Sequence, residues 1–234
     1  MMSKEDLILL PGTLCTERLW EYQIEQLSDV ANIQVGDLTH NDTIQGMAES
    51  ILREAPPEFC LAGLSMGGIV AMELIRQAPE RVKRLALLDT NPTPPRPEQI
   101  TGWENFIAMA NNGRFMDITE KYLLPVLIHP NRQKDDNLVK TIIQMAEDIG
   151  PNAMVRQMNA LMTRPDVREH LSSIKSPTLV ILGSQDALCS IEMHEYLATV
   201  IPNAKLAVIE NCGHLSTMER PKEVTAVLRD WLHS

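Results

Sequence analysis

The sequence predicts an α/β protein, a mostly parallel open sheet flanked by helices, and two observations carry that expectation. Short apolar runs recur at "DLILL" (6–10), "NIQVGDL" (32–38), "FCLAG" (59–63), "RLALLD" (84–89), "TLVILG" (178–183) and "KLAVIE" (205–210). Several are nearly continuous in Leu, Val, Ile and Ala, as strands buried on both faces of a parallel sheet must be. Longer amphipathic segments alternate with them through short links, the pattern of strand–helix–strand crossovers.

Taken in order, the first strand, residues 6–10, stops at Pro11-Gly12. The following "ERLWEYQIEQLSDV" puts Leu19, Trp20, Ile24 and Leu27 on one helical face. After the second run, "IQGMAESILREA" reads as a helix, and "GGIVAMELIRQA" follows the third run in the same way. The alternation then breaks. From Asn91 to about Ser172 no strand is evident, and the proline-rich "NPTPPRPEQ" leads into helical segments around 101–112, 114–123, 135–148 and 151–163. This predicts a core of residues 1–91 and 172–234 with a helical lid, 92–171, inserted between two core strands. The alternative is a set of helices packed on one sheet edge without forming a pocket. Two more strands and the terminal helix "PKEVTAVLRDWL" complete the core.

Composition narrows the function classes. The 234 residues, 44% hydrophobic and 22% charged, suit an ordinary globular chain with one large domain or a core bearing an insertion. A formal charge of −10 argues against nucleic-acid binding, which usually needs a basic surface. The apolar run Leu7 to Leu10 falls short of the roughly 7–15 residues of a signal-peptide core. No stretch approaches the ~18 apolar residues of a membrane helix. The expectation is a cytoplasmic protein without a membrane partner. Cys15, Cys60, Cys189 and Cys212 are widely spaced and form no Cys-x-x-Cys pair, so free thiols are expected rather than disulfides or a zinc site.

The chemistry concentrates in "FCLAGLSMGGIV", residues 59–70. A strand ending at Gly63 and a helix starting near Met66 force a sharp bend with Ser65 at its apex, in a strained backbone conformation. Gly63 and Gly67 flank it because the backbones there approach too closely for side chains. The bend exposes the hydroxyl at the carboxyl edge of the sheet, and the helix start directs its amides and positive dipole end to the same spot. Serine needs a base. Of six histidines, His214 in "ENCGHLSTMERP" follows the last strand on a short loop that can reach Ser65. His40, His129, His170, His194 and His233 occupy lid, helical or surface positions or follow the second strand. The base in turn needs a carboxylate. Asp186 in "ILGSQDALC" is the first candidate, and Asp89 in "LLDTNP" competes with it from the preceding core strand, unless it only orders its loop.

With these residues in view the chain resembles the α/β-hydrolase superfamily, whose triad runs in the order found here, Ser65, Asp186, His214. Within it the sequence is similar to the compact, lid-bearing serine esterases, among them the pimeloyl-carrier-protein methyl ester esterases, and to the menaquinone-pathway enzyme forming the succinyl-cyclohexadiene carboxylate intermediate. The resemblance covers nearly the whole core; in the insertion it extends only to position and helicity. It implies the α/β-hydrolase fold with the usual amino-terminal hairpin absent, since "DLILL" matches the family's third strand. It also implies that "LLPGTLC" is the oxyanion-hole turn, with Pro11 standing where His is common and the Thr13 and Met66 backbone amides as donors.

The implied activity is cofactor-free and metal-free cleavage of a small-molecule carboxylic ester or thioester through an acyl-enzyme. Ser65 would attack, His214 would take its proton and Asp186 would steady the imidazolium. A serine at the apex disfavours the dehalogenase and epoxide-hydrolase branches, which resemble this fold but use aspartate. The alternatives are a triad-bearing lyase or carbon–carbon hydrolase, or a ligand receptor on the same fold; the oligomeric state is left open. Leu14, Met154 and Met158 are the candidate substrate contacts. Met154, Met158 and Met162 recur every fourth residue, making an adaptable apolar stripe that either faces an acyl group or packs the lid down. Between Pro92 and His170 there are 9 Lys/Arg against 10 Asp/Glu, so the insertion is nearly neutral on an acidic body. Arg114, Lys121, Arg156 or Arg164 could therefore accommodate an anionic substrate, unless all four are ordinary solvated charges.

Overall fold

Alternate residues of each apolar run drain to opposite faces of one sheet. In β1 (Glu5–Leu10), Ile8 and Leu10 join one hydrophobic cluster while Leu7 and Leu9 join another on the opposite face. The same division holds in β3 (Phe59–Leu64), β4 (Val82–Leu88) and β5 (Thr178–Gly183). With β2 (Ala31–Val35) and β6 (Lys205–Ile209) the sheet has six strands, all paired in parallel in the order β2-β1-β3-β4-β5-β6. Every run expected to be a strand is one. The computed structural model describes residues 4–233, so the core's outermost assigned residues, 1–3 and 234, lie outside the described residues.

The helices α1 (Glu21–Leu27), α2 (Ile44–Glu54) and α3 (Met66–Gln77) connect the first four strands. The segment expected as one helix over 17–30 instead divides into a 3₁₀ turn, Glu17–Trp20, and α1, because Trp20 leaves helical geometry while its ring is fully buried. Between β4 and β5 the chain is helical. It forms α4 (Pro97–Asn111), a short irregular run of turns over 115–127 that includes π-helical geometry at Ile118–Leu123, and α5 (Asp136–Met162). α5 is broken at Gly150 (φ 76°, ψ 166°), where Pro151 opens its second arm, matching the break expected between 148 and 151. α6 (Ile191–Val200) follows β5 and α7 (Pro221–Leu232) closes the chain. α6 carries no clear apolar stripe because His194, not an aliphatic residue, occupies part of its buried face. Residues of α2, α3 and α6 lie in the cluster on one side of the sheet, and residues of α1 and α7 in the cluster on the other.

This topology decides where a site can form. The chain crosses from β1 outward to β2, then back over β1 to β3, so connections leave the carboxyl ends of β1 and β3 in opposite directions. A crevice opens at such a reversal. The loops after β1 and β3 carry Thr13 and Ser65, and those after β5 and β6 carry Asp186 and His214. Among the described residues no helix is long and apolar enough to cross a membrane.

Candidate active site

Ser65 sits between β3 and α3 with φ 56° and ψ −116°, a region that non-glycine residues rarely occupy. Two glycines make the bend feasible. A Cβ on Gly63 would lie 2.2 Å from the Gly67 carbonyl oxygen, and one on Gly67 would lie 2.3 Å from that of Leu10. The apex is pinned from below: Ser65 N–H donates to Leu88 O at 2.9 Å, and Thr90 Oγ1 donates to Ser65 O at 2.7 Å. Leu14 (φ 58°) and Asp89 (φ 46°) hold left-handed backbone conformations at the ends of the neighbouring strands. Three of the positive-φ non-glycine residues thus cluster around one rim.

Ser65 Oγ–H donates to His214 Nε2 at 2.8 Å, and His214 Nδ1–H donates to Asp186 Oδ2 at 2.8 Å. The side chains of His214 and Asp186 are only 2% and 1% exposed. The other carboxylate oxygen, Asp186 Oδ1, accepts from the Leu188 and Cys189 amides at 2.8 and 3.0 Å, which fixes the plane of the carboxylate. Burial opposes a charged imidazole at His214. The facing charge and hydrogen bond of Asp186, with further help from Asp89 and Glu219, outweigh it and hold His214 above its ordinary 6.5. Burial likewise opposes the Asp186 charge, but His214 and the two amides hold its carboxyl below the usual range.

Asp89, the competing carboxylate, bonds elsewhere. Its Oδ1 accepts from Gly183 N–H at 2.8 Å and its Oδ2 meets the Ser216 hydroxyl, so it ties β4 to the loops carrying Asp186 and His214. Burial and the neighbouring Asp186 charge push its carboxyl up to about 8. The carboxylate bonded directly to His214 is therefore Asp186.

Two backbone amides of residues at the same rim lack partners. Among the described residues neither Thr13 N–H nor Met66 N–H has a hydrogen-bond acceptor, and both residues line the cavity that Ser65 and His214 share. Met66 opens α3, where no intrahelical acceptor exists. The turn bearing Thr13 is closed by Cys15 N–H to Gly12 O at 3.2 Å.

It is braced further by Gln157 of α5, 1% exposed, whose Oε1 accepts from Leu14 N–H at 3.0 Å while its Nε2 donates to Leu38 O at 3.3 Å. Gln157→Leu keeps the volume but strands both backbone groups, which typically costs about 1–3 kcal/mol. The expected result is a lower melting temperature together with a fall in kcat larger than any rise in KM, read by thermal denaturation and steady-state kinetics.

The cavity, about 300 Å³, lies between this rim and the helical segment. Trp103, Phe106, Leu123, Val126 and Leu161 give it an apolar wall. Of the three substrate contacts expected from sequence, Met158 lines it. Leu14 and Met154 do not: they are 4% and 0% exposed and pack together beside it in a cluster with Phe115 and Ile118. Met158 belongs to the same cluster and is 2% exposed, so it packs the helical segment down while also edging the cavity.

Several residues that organise the rim were not singled out from sequence. His194 is fully buried; its Nε2 accepts from Thr90 N–H at 3.0 Å and its Nδ1–H donates to Ser190 O at 2.9 Å, which supports the loop after β4 in a neutral ring. Glu219, 2% exposed, accepts from Gly213 N–H at 2.9 Å and His129 N–H at 2.8 Å, locking the His214 loop to the helical segment. The one available signal was its place five residues after His214. Cys15 and Cys189 line the cavity, and burial raises both thiols, Cys15 to about 12. Cys189, Asp186 and His214 bring ligand-type atoms within 4.8 Å of one another. A thiol that keeps its proton and a carboxylate already bonded to the imidazole fit a proton relay better than a metal site.

A family model described as "Alpha/beta hydrolase family" matches residues 7–227. The chain is 26% identical over 247 aligned residues to a pimeloyl-[acyl-carrier protein] methyl ester esterase of Aromatoleum aromaticum, covering 98% of each. Among solved structures it is similar to a thermophilic esterase from Thermogutta terrifontis, at 27% identity and TM-score 0.90, covering 99% of this chain and 90% of that one. The enol-lactonase of Burkholderia xenovorans, at 20% identity and TM-score 0.89, shares the fold; the alignment covers 99% of this chain and 92% of that one.

Proposed function

The chain belongs to the alpha/beta hydrolase family, and from that footing we propose that it hydrolyses a carboxylic ester or thioester of a small to medium acyl group through an acyl-enzyme on Ser65. The observation that carries the reading is the unbroken hydrogen-bond row from Ser65 Oγ through His214 to Asp186, opening on a cavity with two unengaged amides. The esterase relatives named above are consistent with it.

In this reading His214 accepts the Ser65 proton as the oxygen attacks the carbonyl carbon. The carbonyl oxygen becomes anionic in the Thr13 and Met66 amides, each such donor being worth roughly 3–4 kcal/mol of barrier. Protonated His214 then delivers its proton to the leaving alcohol or thiol. Water enters, His214 takes its proton, and the reverse sequence releases the acid. Residues 92–171 act as the lid of this site: they supply most of the apolar wall and, through Gln157, brace the oxyanion turn.

The base works only when neutral. Because His214 is held above 6.5, kcat/KM should be low in acid and rise as pH passes through the free-enzyme value, with the midpoint above 6.5. A pH profile with a neutral ester substrate measures it. The activity itself is tested with a panel of methyl esters, aryl esters and thioesters of short to medium chain length. Many turnovers per molecule support the hydrolase; saturable binding with no turnover of any member would place the protein with ligand receptors instead.

A further inference from the structure

Arg164 lines the substrate cavity yet is only 5% exposed, and it forms no ion pair with any described carboxylate. Its Nε donates to Thr93 O at 2.8 Å, and its guanidinium carbon lies 5.4 Å from the centre of the Trp103 ring. An arginine offers five N–H donors; no acceptor for those on Nη1 and Nη2 is present among the described residues. Neither nitrogen is among the fully enclosed, unpartnered atoms, and the residue lies in the wall of the cavity. Burial lowers the guanidinium to about 10, and nearby Arg96 adds repulsion, so the group is still charged at neutral pH. A desolvated cation without a counter-charge is costly to a fold. Three more exposed arginines of this chain are paired with carboxylates: Arg114 with Asp117, Arg168 with Asp166 and Arg229 with Asp29. Arg164 is built differently. Its Nε is held by a backbone carbonyl, its guanidinium carbon lies over the Trp103 ring, and its two terminal nitrogens have no acceptor among the described residues in the wall of the cavity.

We infer that Arg164 is a carboxylate-recognition residue, and that the substrate of this site is an ester carrying a second, ionised carboxyl group at the far end of its acyl part. A planar guanidinium held in this way suits bidentate pairing with a carboxylate. The pairing takes place in a mainly apolar cavity, where it counts for more than at the surface. The charge of the bound group would complete the ion pair that the protein leaves unmade. This deepens the reading of Ser65 as an ester-cleaving nucleophile and rests on it for the word ester, though recognition of the anion does not depend on chemistry.

The test uses monomethyl glutarate, an anion, against dimethyl glutarate, its neutral counterpart, with the parent protein, Arg164→Gln and Arg164→Lys. A hydrogen-bonded charge contact of this kind is typically worth a factor of roughly 10–100. Arg164→Gln should therefore lower kcat/KM for the half-ester at least about 10-fold while changing the neutral diester less than about 3-fold, and Arg164→Lys should fall between. Equal losses on both substrates, or none on either, would overturn the inference. Because a buried substitution can impair folding, binding of glutarate to Ser65→Ala by calorimetry supplies a second arm. Glutarate should bind there and bind at least about 10-fold more weakly to Ser65→Ala/Arg164→Lys. Absence of glutarate binding to a folded Ser65→Ala protein would refute the anion site. Binding with no hydrolysis of either ester would instead keep the anion site and remove the esterase reading.

Discussion

Ser65→Ala is expected to lower kcat/KM on every ester that the parent turns over by about 10⁵–10⁶-fold, the scale of losing the nucleophile in an enzyme of this kind. The same variant should keep the fold and the ligand affinity of the parent. Alanine fills the same backbone position, and the contacts that pin the bend, Ser65 N–H to Leu88 O and Thr90 Oγ1 to Ser65 O, are made by backbone atoms of residue 65. Only one hydrogen bond disappears, that to His214 Nε2. The Thr13 and Met66 amides and the apolar wall remain, so a residual acceleration over water of about 10³–10⁴ should survive. Parallel kinetics, melting curves and ligand binding on the two proteins separate loss of chemistry from loss of structure. A variant with activity within about 10-fold of the parent would remove Ser65 from the mechanism.

Asp186→Asn should cost about 10⁴-fold in kcat, and Asp89→Asn less than about 10-fold. The contrast follows from what each carboxylate bonds. Asparagine at 186 can turn a donor toward His214 Nδ1. That favours the tautomer with hydrogen on Nε2, which cannot accept the Ser65 proton. It also removes the charge that keeps His214 above its ordinary value, so a residual pH profile should shift its acidic limb downward. Asp89 faces Gly183 N–H and the Ser216 hydroxyl, and burial already pushes it up to about 8. An amide reproduces that largely neutral state: its oxygen accepts from Gly183 and its nitrogen donates to Ser216. If Asp89→Asn proved as damaging as Asp186→Asn, the partner of His214 would have to be reassigned.

How far these features could be read in advance depends on the range of the interaction. The six strands were legible because burial on both faces demands continuous apolar runs, and a run such as "TLVILG" has few other uses. Ser65 was legible because its bend needs glycines at fixed offsets, a local steric requirement written in five residues. His214 and Asp186 were legible as loop residues following strands, and their meeting 149 and 121 positions from Ser65 was inferred from the shared carboxyl edge of the sheet and from the triad order of the family the chain resembles, not from any local signal. Gln157, Glu219, His194 and Arg164 escaped, or were only one of several options, for the opposite reason. Each is a polar residue on a helix or, for Arg164, just past the end of one, a class that usually faces water. Each became structural only through a backbone or ring partner far away in sequence, as Gln157 did with Leu14 and Arg164 with Trp103. That Met158 alone of Leu14, Met154 and Met158 reaches the cavity was likewise invisible, since all three pack in one cluster.

The most direct measurement of the central claim is covalent capture. The protein is incubated with a fluorophosphonate, digested, and the adduct located by tandem mass spectrometry, with Asp186→Asn run alongside. The account predicts a single stoichiometric adduct on Ser65 and much slower labelling of the variant, because a hydroxyl becomes nucleophilic there only through His214 and its carboxylate partner. An adduct on another residue, or labelling of Ser65 at the same rate in both proteins, would contradict it.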